Sequence, residues 1–273
     1  MKKIEVFNII IQLDLFEDEK FLSLNRYLSD KTPEYFISSF NFFNFDIPFY
    51  EPKVRTEFYD LYEIDNKTIQ VQKSEGNIIG GIIYDGNRIN IYPRIISFEM
   101  EYLLSQYAFS YIISKKGGLI FHASSFIYKD KGILISAKSG TGKSTHTSLW
   151  EKYENVKVLN DDKNILYIND KNELYMASSP WSGKHMKDNN LCHRVDLLVF
   201  LYQNKENVIE TTSMNFAFRK LIVQLQKPTE ENRDIWENIF NHLLETKSYT
   251  LGCTKEKEAY LCLKERIDDE LCH

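Results

Sequence analysis

The sequence predicts an α/β fold preceded by a β-rich region, and three observations support this fold class. A glycine-rich segment over residues 137–145 lies between a short apolar run and a stretch of helical character. The chain beyond it alternates apolar runs of strand length with longer amphipathic stretches, which is typical of α/β domains. The first 95 residues instead carry short β-type runs with irregular connections. We therefore expect a β-rich region at 1–95 and an α/β domain at 96–273.

The β-rich region contains several candidate strands. They are Phe7–Leu13, Thr68–Gln72, Ile78–Tyr84 and Arg88–Tyr92. A hairpin turn is predicted between the last two, because Gly86 tolerates a positive φ angle. No grouping of residues in this region is typical of a catalytic or binding site, so the sequence predicts no function for this region.

The α/β domain is predicted to begin with a helix. Apolar side chains recur at helical spacing over residues 97–115, and a pair of glycines follows. The apolar run 119–127 is then predicted as one strand, and Ile133–Ile135 as the next strand, which leads into the glycine-rich segment. Sequence proximity therefore places His122 on the strand that neighbours the one before this segment.

The rest of the domain alternates predicted strands and helices. Strands are predicted at Val156–Leu159, Ile165–Ile168, Leu174–Met176 and Val195–Leu201, and helices at His146–Lys152, Met214–Gln226, Glu230–Leu244 and Lys255–Ile267. A second hairpin is predicted at Asn169–Asn172. The length of the apolar run ending at Leu201 is typical of a central strand.

Composition limits the classes of partner. The 273 residues carry a net charge of −5 with no basic block, which excludes a nucleic-acid partner. No apolar run approaches the ~18 to 20 residues that span a bilayer, and the N-terminus does not resemble a signal peptide, so no membrane partner is expected. The cysteines include no CxxC pair, which indicates reduced thiols in the cytoplasm. They are Cys192, Cys253, Cys262 and Cys272.

The glycine-rich segment has the pattern of a phosphate-binding loop. It reads Ala137-Lys138-Ser139-Gly140-Thr141-Gly142-Lys143-Ser144-Thr145. The two glycines allow a tight turn that directs backbone N–H groups at phosphate oxygens. Lys143 can supply positive charge to the β- and γ-phosphates, and the Ser144 hydroxyl can ligate Mg²⁺. The sequence therefore predicts nucleotide binding, although Ala137 stands where this pattern usually opens with glycine.

Two adjacent carboxylates, Asp161 and Asp162, follow a predicted strand beyond this loop. One carboxylate can hold Mg²⁺, and the other can accept a proton from an attacking hydroxyl if its pKa is raised. The alternative is a polar turn after an edge strand, for which Asn-Asp-Asp is ordinary composition. The phosphate-binding loop favours the functional interpretation.

Two further features have alternative interpretations. An isolated His122 is most often a packed histidine, but its position also suits a contact to phosphate or to the catalytic carboxylates. The segment Trp181-Ser182-Gly183-Lys184 is either an ordinary turn with Trp181 packed beneath it or a substrate lid. In a lid, Lys184 would neutralise anionic charge and Gly183 would permit movement.

Four segments in this order resemble the HPr serine kinase-like family, which is related to the ATP-dependent phosphoenolpyruvate carboxykinases. The segments are His122–Ser125, Ser139–Thr145, Asn160–Lys163 and Pro180–Lys184. The resemblance covers about residues 115 to 265 and implies a P-loop domain with a mixed sheet. It also implies ATP- and Mg²⁺-dependent transfer of a phosphoryl group to a hydroxyl, commonly that of serine.

The resemblance also implies roles for individual residues. Ser139–Thr145 would bind the phosphates, with Lys143 acting in catalysis as well. Ser144, Asp161 and Asp162 would bind the metal, and the two aspartates would share the base role. His122 matches the strand-end histidine near the phosphates, and 181–184 would contact the substrate.

The chain departs from the family's HPr kinase/phosphorylases, because no Pro-Gly-Arg-Asn-like segment follows downstream. It is more similar to stand-alone members, some of which are associated with ribosomally made peptides such as lasso peptide precursors. The expected acceptor is therefore a peptide or protein hydroxyl. The alternatives are a small hydroxyl metabolite such as free serine, or a non-catalytic nucleotide-binding module; a second copy of the chain is a further candidate partner.

Overall fold

A computed structural model of the chain describes residues 1–182, 189–225 and 232–271. Within these residues the protein is mixed α/β with three sheets, which confirms the predicted class at that level. The chain divides into two compact units, Met1–Ile112 and Ile113–His273. No helix in the described part of the chain is both long and apolar enough to cross a membrane.

The unit Met1–Ile112 contains an eight-stranded sheet. Its strands are β1 Lys2–Val6, β2 Ile9–Asp14, β3 Tyr35–Ser39, β4 Val54–Arg55, β5 Tyr59–Ile64, β6 Lys67–Ser74, β7 Asn77–Asp85 and β8 Arg88–Pro93. Their order is β1-β2-β3-β8-β7-β6-β5-β4. Strand β3 pairs in parallel with β2 and β8, whereas the β5–β8 meander is antiparallel.

Two expectations for this unit are confirmed and one is corrected. The β7–β8 hairpin has the predicted turn, with Gly86 at a φ of 57°. The predicted helix is α1, Phe98–Lys115. The first predicted strand began too early, because Phe7 and Asn8 have φ angles of 53° and 58° and form the turn between β1 and β2.

The unit Ile113–His273 contains a six-stranded and a four-stranded sheet. Its strands are β9 Gly118–His122, β10 Ser124–Tyr128, β11 Lys131–Ser136, β12 Lys157–Asn160, β13 Lys163–Ile168, β14 Leu174–Ala177, β15 Cys192–Arg194, β16 Leu197–Gln203, β17 Val208–Thr211 and β18 Ser248–Cys253. Its helices are α2 Lys143–Glu154, α3 Met214–Gln224, α4 Arg233–Glu245 and α5 Lys257–Leu271. The predicted helix ends Gln226 and Glu230 lie outside the described residues, as does Cys272.

The larger sheet has the order β12-β10-β11-β16-β18-β17, and the smaller one β15-β14-β13-β9. Strands β11, β16 and β18 run parallel, so their carboxyl ends meet at one edge, where α/β proteins bind ligands. Helices α2 and α5 pack together, and the buried Trp150 and Tyr260 belong to the core cluster on their face of the larger sheet. A second core cluster joins the two sheets with α3 and α4.

The apolar run 119–127 is two strands rather than the single strand that was predicted. The run divides at Ala123, where the chain leaves β9 in the smaller sheet and enters β10 in the larger one. His122 therefore lies on β9, which pairs with β13, and not on the neighbour of β11. The chain returns from β12 to β13 through Asp161 and Asp162, and the Ala123 N–H donates to the Asp162 carbonyl at 3.0 Å. These two crossings thus bring His122 beside the aspartates.

Candidate active site

The glycine-rich loop connects β11 to α2 in a conformation that requires its two glycines. Gly140 and Gly142 have φ angles of 76° and 115°, a region that side chains disfavour. A Cβ atom at either glycine would meet no atom within 4 Å, so the space in front of both is open. Gly142 also precedes the first turn of α2, whose unpaired N–H groups favour an anion. The loop therefore has the backbone of a phosphate cradle.

Ala137 fits its position without strain. It is not among the residues with positive φ, and its methyl group is buried in the core cluster beneath α2. The left-handed turn begins later, at Gly140. The absence of glycine at the first position of the loop is therefore compatible with the cradle.

The Lys143 ammonium group is held at the base of the loop. Its Nζ atom donates to the Ala137 carbonyl at 3.2 Å and lies 3.1 Å from His122 Nε2. The residue is only 7% exposed. Burial lowers the pKa of Lys143, and the nearby Lys163 acts in the same direction, while the Asp162 charge opposes both. The structure thus holds the Lys143 side chain against the first residue of the loop.

Asp162 lies at one end of a row of three polar groups, the Lys143 ammonium group, the His122 ring and the Asp162 carboxylate. Its Oδ1 atom lies 2.8 Å from His122 Nε2, the same nitrogen that faces Lys143. Burial acts to raise the pKa of Asp162, but the hydrogen bond from His122 and the charges of Lys163, His122 and Lys143 outweigh it and lower that pKa. Asp162 is therefore ionised at neutral pH and balances the charge of the loop lysine.

Asn160 shapes the turn that carries the two aspartates, and it was not predicted as a site residue. Its Oδ1 atom accepts from the backbone N–H groups of Asp162 at 2.8 Å and Lys163 at 2.7 Å. Its Nδ2 atom donates to the Ser179 carbonyl at 2.8 Å, and the residue is fully buried. The preference of asparagine for such side chain-to-backbone turns was the available sequence signal.

The segment that carries Trp181 is attached to this same turn. Ser178 Oγ donates to the Leu159 carbonyl at 2.7 Å, and Ser179 Oγ donates to the Lys163 carbonyl at 2.7 Å. Trp181 and Ser182 follow directly and are 1% and 4% exposed. The Trp181 ring is thus packed in the interior, as one of the two sequence interpretations required. Gly183 and Lys184 lie outside the described residues.

The metal-binding candidates are the neighbours in sequence of two members of this row, Lys143 and Asp162. Ser144 is half-buried in the first turn of α2, and Asp161 is buried at 2% exposure beside Asp162. No cluster of three His, Cys, Asp or Glu side chains suited to a metal ion occurs among the described residues. Mg²⁺ held between nucleotide phosphates needs only one or two protein ligands, which Ser144 and the aspartates can supply.

A shallow, solvent-open cleft borders the loop. It lies at the shared carboxyl edge of β16 and β18. Its lining comprises Thr141, Gly142, Thr145, His146, Leu149, Gln203, Cys253, Thr254 and Lys255. The cleft therefore begins at the phosphate-binding loop and has the position that a nucleoside attached to the phosphates would need.

Two side chains outside the predicted set also reach the loop. Gln224, the last residue of α3, places Nε2 3.5 Å from the Ala137 carbonyl. Gln203, at the end of β16, places Nε2 3.5 Å from the carbonyls of Gly140 and Thr141. Neither glutamine stands in a recognisable motif, because each comes from an element that only the fold brings to the loop.

Comparisons with known proteins do not assign the chain to a family. No family model matches the chain, and no curated protein matches it. Among solved structures, the chain is similar to the Hpr(Ser) kinase/phosphatase from Coxiella burnetii, with 15% identity and a TM-score of 0.27. The match covers 46% of this chain and 97% of that one. At that TM-score the likeness carries no argument about activity, so the function has to be argued from the site.

Proposed function

We propose that the protein is an ATP- and Mg²⁺-dependent kinase that transfers the γ-phosphoryl group to a serine-type hydroxyl, with a peptide or protein as the acceptor. One observation carries the proposal: His122 Nε2 lies within 3.1 Å of Lys143 Nζ and 2.8 Å of Asp162 Oδ1. The loop lysine, the strand-end histidine and a carboxylate, which stand far apart in the sequence, form one contiguous polar row.

The loop supports the nucleotide part of this proposal. Bound ATP with Mg²⁺ would supply the phosphoryl group and the electrophile. The N–H groups around Gly140 and Gly142 would hold its phosphates, and Lys143 would neutralise charge on them. The adjoining cleft would take the nucleoside.

The carboxylates support the transfer part. A general base works best with a pKa near the operating pH, whereas the pKa of Asp162 is lowered. This favours Asp162 for pairing with positive charge, with Mg²⁺ or Lys143, over accepting the hydroxyl proton. We therefore propose that Asp161 accepts or orients the hydroxyl proton and that His122 positions the side chains of Asp162 and Lys143.

Transfer of label from γ-labelled ATP tests the proposal. The purified protein would be incubated with Mg²⁺ and either a pool of serine-containing peptides, free serine or no acceptor. We expect labelled peptide, and we expect Lys143→Met to reduce the transfer rate by about 100-fold or more. Lys152→Met is the matched control, because Lys152 lies exposed in the last turn of the same helix.

Nucleotide affinity separates the alternatives. For a kinase, Asp161→Asn and Asp162→Asn retain ATP binding and lose turnover. A nucleotide-binding module would show binding without transfer in the wild type as well. Label on free serine alone would select the metabolite kinase, and retained turnover in both aspartate variants would overturn the carboxylate assignment.

A further inference from the structure

Helix α3 carries an exposed apolar stripe beside the buried residues that hold the helix to the protein. Met214, Phe218 and Ile222 are spaced at i, i+4 and i+8 and are 69%, 46% and 48% exposed. The buried residues Ala217 and Leu221 anchor the helix along an adjacent stripe. We name the three exposed residues the α3 face. Contiguous exposed apolar side chains of this kind mark interaction sites.

The α3 face is rigidly supported at its centre. The Phe218 ring meets the Phe240 ring of α4 edge-on at 5.4 Å, and Phe240 stacks on Trp236 at 4.7 Å. Ser213 caps the first turn of the helix by accepting from the Phe216 N–H at 3.4 Å. An aromatic side chain held in place by its neighbours loses little freedom when a partner binds, which suits an anchoring residue.

The charges on α3 indicate the chemistry of the partner. Arg219 and Lys220 follow Phe218, and the helix contains no acidic residue although the whole chain has a net charge of −5. Arg219 forms no ion pair with any described residue, and Lys220 lies over the Phe216 ring at 5.1 Å. An acidic and apolar segment complements this surface, whereas pairing of α3 with α3 of a second copy would oppose like charges.

The end of α3 meets the candidate active site. Gln224 contacts the Ala137 carbonyl of the loop, and Leu225 forms a bridge with Phe121, the residue before His122. Phe218 and Met214 lie seven and eleven residues before Leu225, rises of about 10 Å and 16 Å along the helix. An extended peptide advances ~3.3 Å per residue, so a segment on the α3 face would place a hydroxyl about three to six residues away near His122.

We propose that the α3 face is the docking site for the acceptor peptide, and that this peptide presents apolar and acidic residues about three to six positions from the phosphorylated hydroxyl. The proposal rests on the kinase function proposed above and specifies its acceptor. Apolar contacts with Phe218 and Ile222 provide the affinity, while Arg219 selects the charge.

The probes are synthetic serine peptides that carry leucine with glutamate, leucine with lysine, or glycine with glutamine at these positions. Their binding is measured by fluorescence anisotropy, and phosphoryl transfer by label from ATP. We expect the leucine–glutamate peptide to bind best. Phe218→Asp and Ile222→Ser should each weaken its binding by about tenfold or more, as loss of an interface anchor does.

Two variants serve as controls. Val223→Ser changes an exposed apolar residue on another side of the same helix, and Lys171→Glu reverses a charge in the β13–β14 hairpin. Both should leave peptide binding unchanged. The variant Arg219→Glu should remove the preference for the leucine–glutamate peptide over the leucine–lysine peptide.

The outcomes distinguish the two proposals. Equal binding of all peptides, or binding that is unaffected by the α3 variants, would refute the docking site. Transfer of label to serine in the same experiment would still support the kinase function. Selective binding on α3 without any transfer overturns the kinase function and with it the acceptor role of the face. Self-association in sedimentation that Phe218→Asp abolishes would assign the face to a second copy and overturn the peptide proposal.

Discussion

His122 Nε2 lies 2.8 Å from Asp162 Oδ1, and this contact joins the end of β9 to the turn that follows β12. The same nitrogen lies 3.1 Å from Lys143 Nζ, and because it either donates to the carboxylate or accepts from the lysine, only one of these two contacts is a hydrogen bond at a time. Because a hydrogen bond from His122 and the charges of Lys163 and Lys143 act on Asp162, its protonation connects the site to the stability of the fold.

Asp162→Asn should remove an acid-dependent part of the free energy of unfolding. The folded protein holds the pKa of Asp162 below its ordinary value of 3.8, so the unfolded chain takes up the proton first as pH falls. The stabilisation is therefore complete above about pH 4 and is lost as pH falls through the lower pKa of the folded state. Urea unfolding of both proteins between pH 7 and 3 should show their difference narrowing below about pH 4.

Asp170→Asn is the control for this experiment, since Asp170 lies exposed in the β13–β14 hairpin. A difference between wild type and Asp162→Asn that stays constant down to pH 3 would contradict the ion pair.

Ala137→Gly and Gly142→Ala should affect different properties: the first the free energy of unfolding, the second the affinity for nucleotide. Ala137 does not have a positive φ and its methyl group is buried, so we expect Ala137→Gly to keep turnover within about twofold and to lower the free energy of unfolding by about 1 kcal/mol. Gly142 has a φ of 115°, so alanine there adds strain on the order of 1–3 kcal/mol and should weaken nucleotide binding. Titration with a fluorescent ATP analogue measures the affinity, and urea unfolding measures the stability. Improved binding in Ala137→Gly would show that the native loop does not have the phosphate-binding conformation.

Asn160→Ala should misplace the aspartates without unfolding the protein. The substitution removes the acceptor of two part-buried hydrogen bonds from backbone N–H groups and the donor of the buried hydrogen bond to the Ser179 carbonyl. Loss of buried hydrogen bonds predicts a destabilisation of about 1–3 kcal/mol. Turnover should fall more than ATP affinity, and Asn160→Asp should restore the turn but not the bond to Ser179. An unaltered ratio of turnover to affinity would argue against a positioning role.

His146→Leu should reduce the change in the free energy of unfolding between about pH 6.5 and pH 4. Burial lowers the pKa of His146 from 6.5 to about 4, and its Nδ1 atom has no hydrogen-bond partner among the described residues. The unfolded chain therefore binds a proton between these pH values while the folded protein does not, so wild-type stability falls as pH decreases from about 6.5 to 4. The shift corresponds to about 3 kcal/mol.

Urea unfolding at about pH 7, 5.5 and 4.5 measures this slope, with His242→Gln as the control because the His242 ring contacts carbonyl oxygens at the surface. An unchanged slope in His146→Leu would refute the assignment.

Local patterns were sufficient where neighbours along the chain decide the conformation. The helix expected at 97–115 is Phe98–Lys115, because local apolar spacing and the glycine pair that follows favour a helix of this length independently of remote partners. Gly86 marked the β7–β8 turn for a similar local reason, since only its φ angle is at issue.

Local patterns failed where the partner of a segment decides its structure. The run 119–127 has strand-forming apolar residues at both ends, and its central His122 and Ser124–Ser125 do not show that the chain changes sheets at Ala123. That division depends on pairing with β13 on one side of Ala123 and with β11 on the other. Strand pairing is a long-range choice that an apolar run by itself does not encode.

The sequence alone determined the chemical groups available to this protein: a glycine-rich loop ending in Lys143, two adjacent carboxylates and a histidine on an apolar strand. These follow from residue type and from the φ angles that only glycine adopts readily. The tertiary structure decided which of them meet. It placed His122 between Lys143 and Asp162, buried Trp181, and ended α3 against the loop. These relationships depend on contacts between residues far apart in the chain, which burial and strand pairing select only once the whole unit has formed.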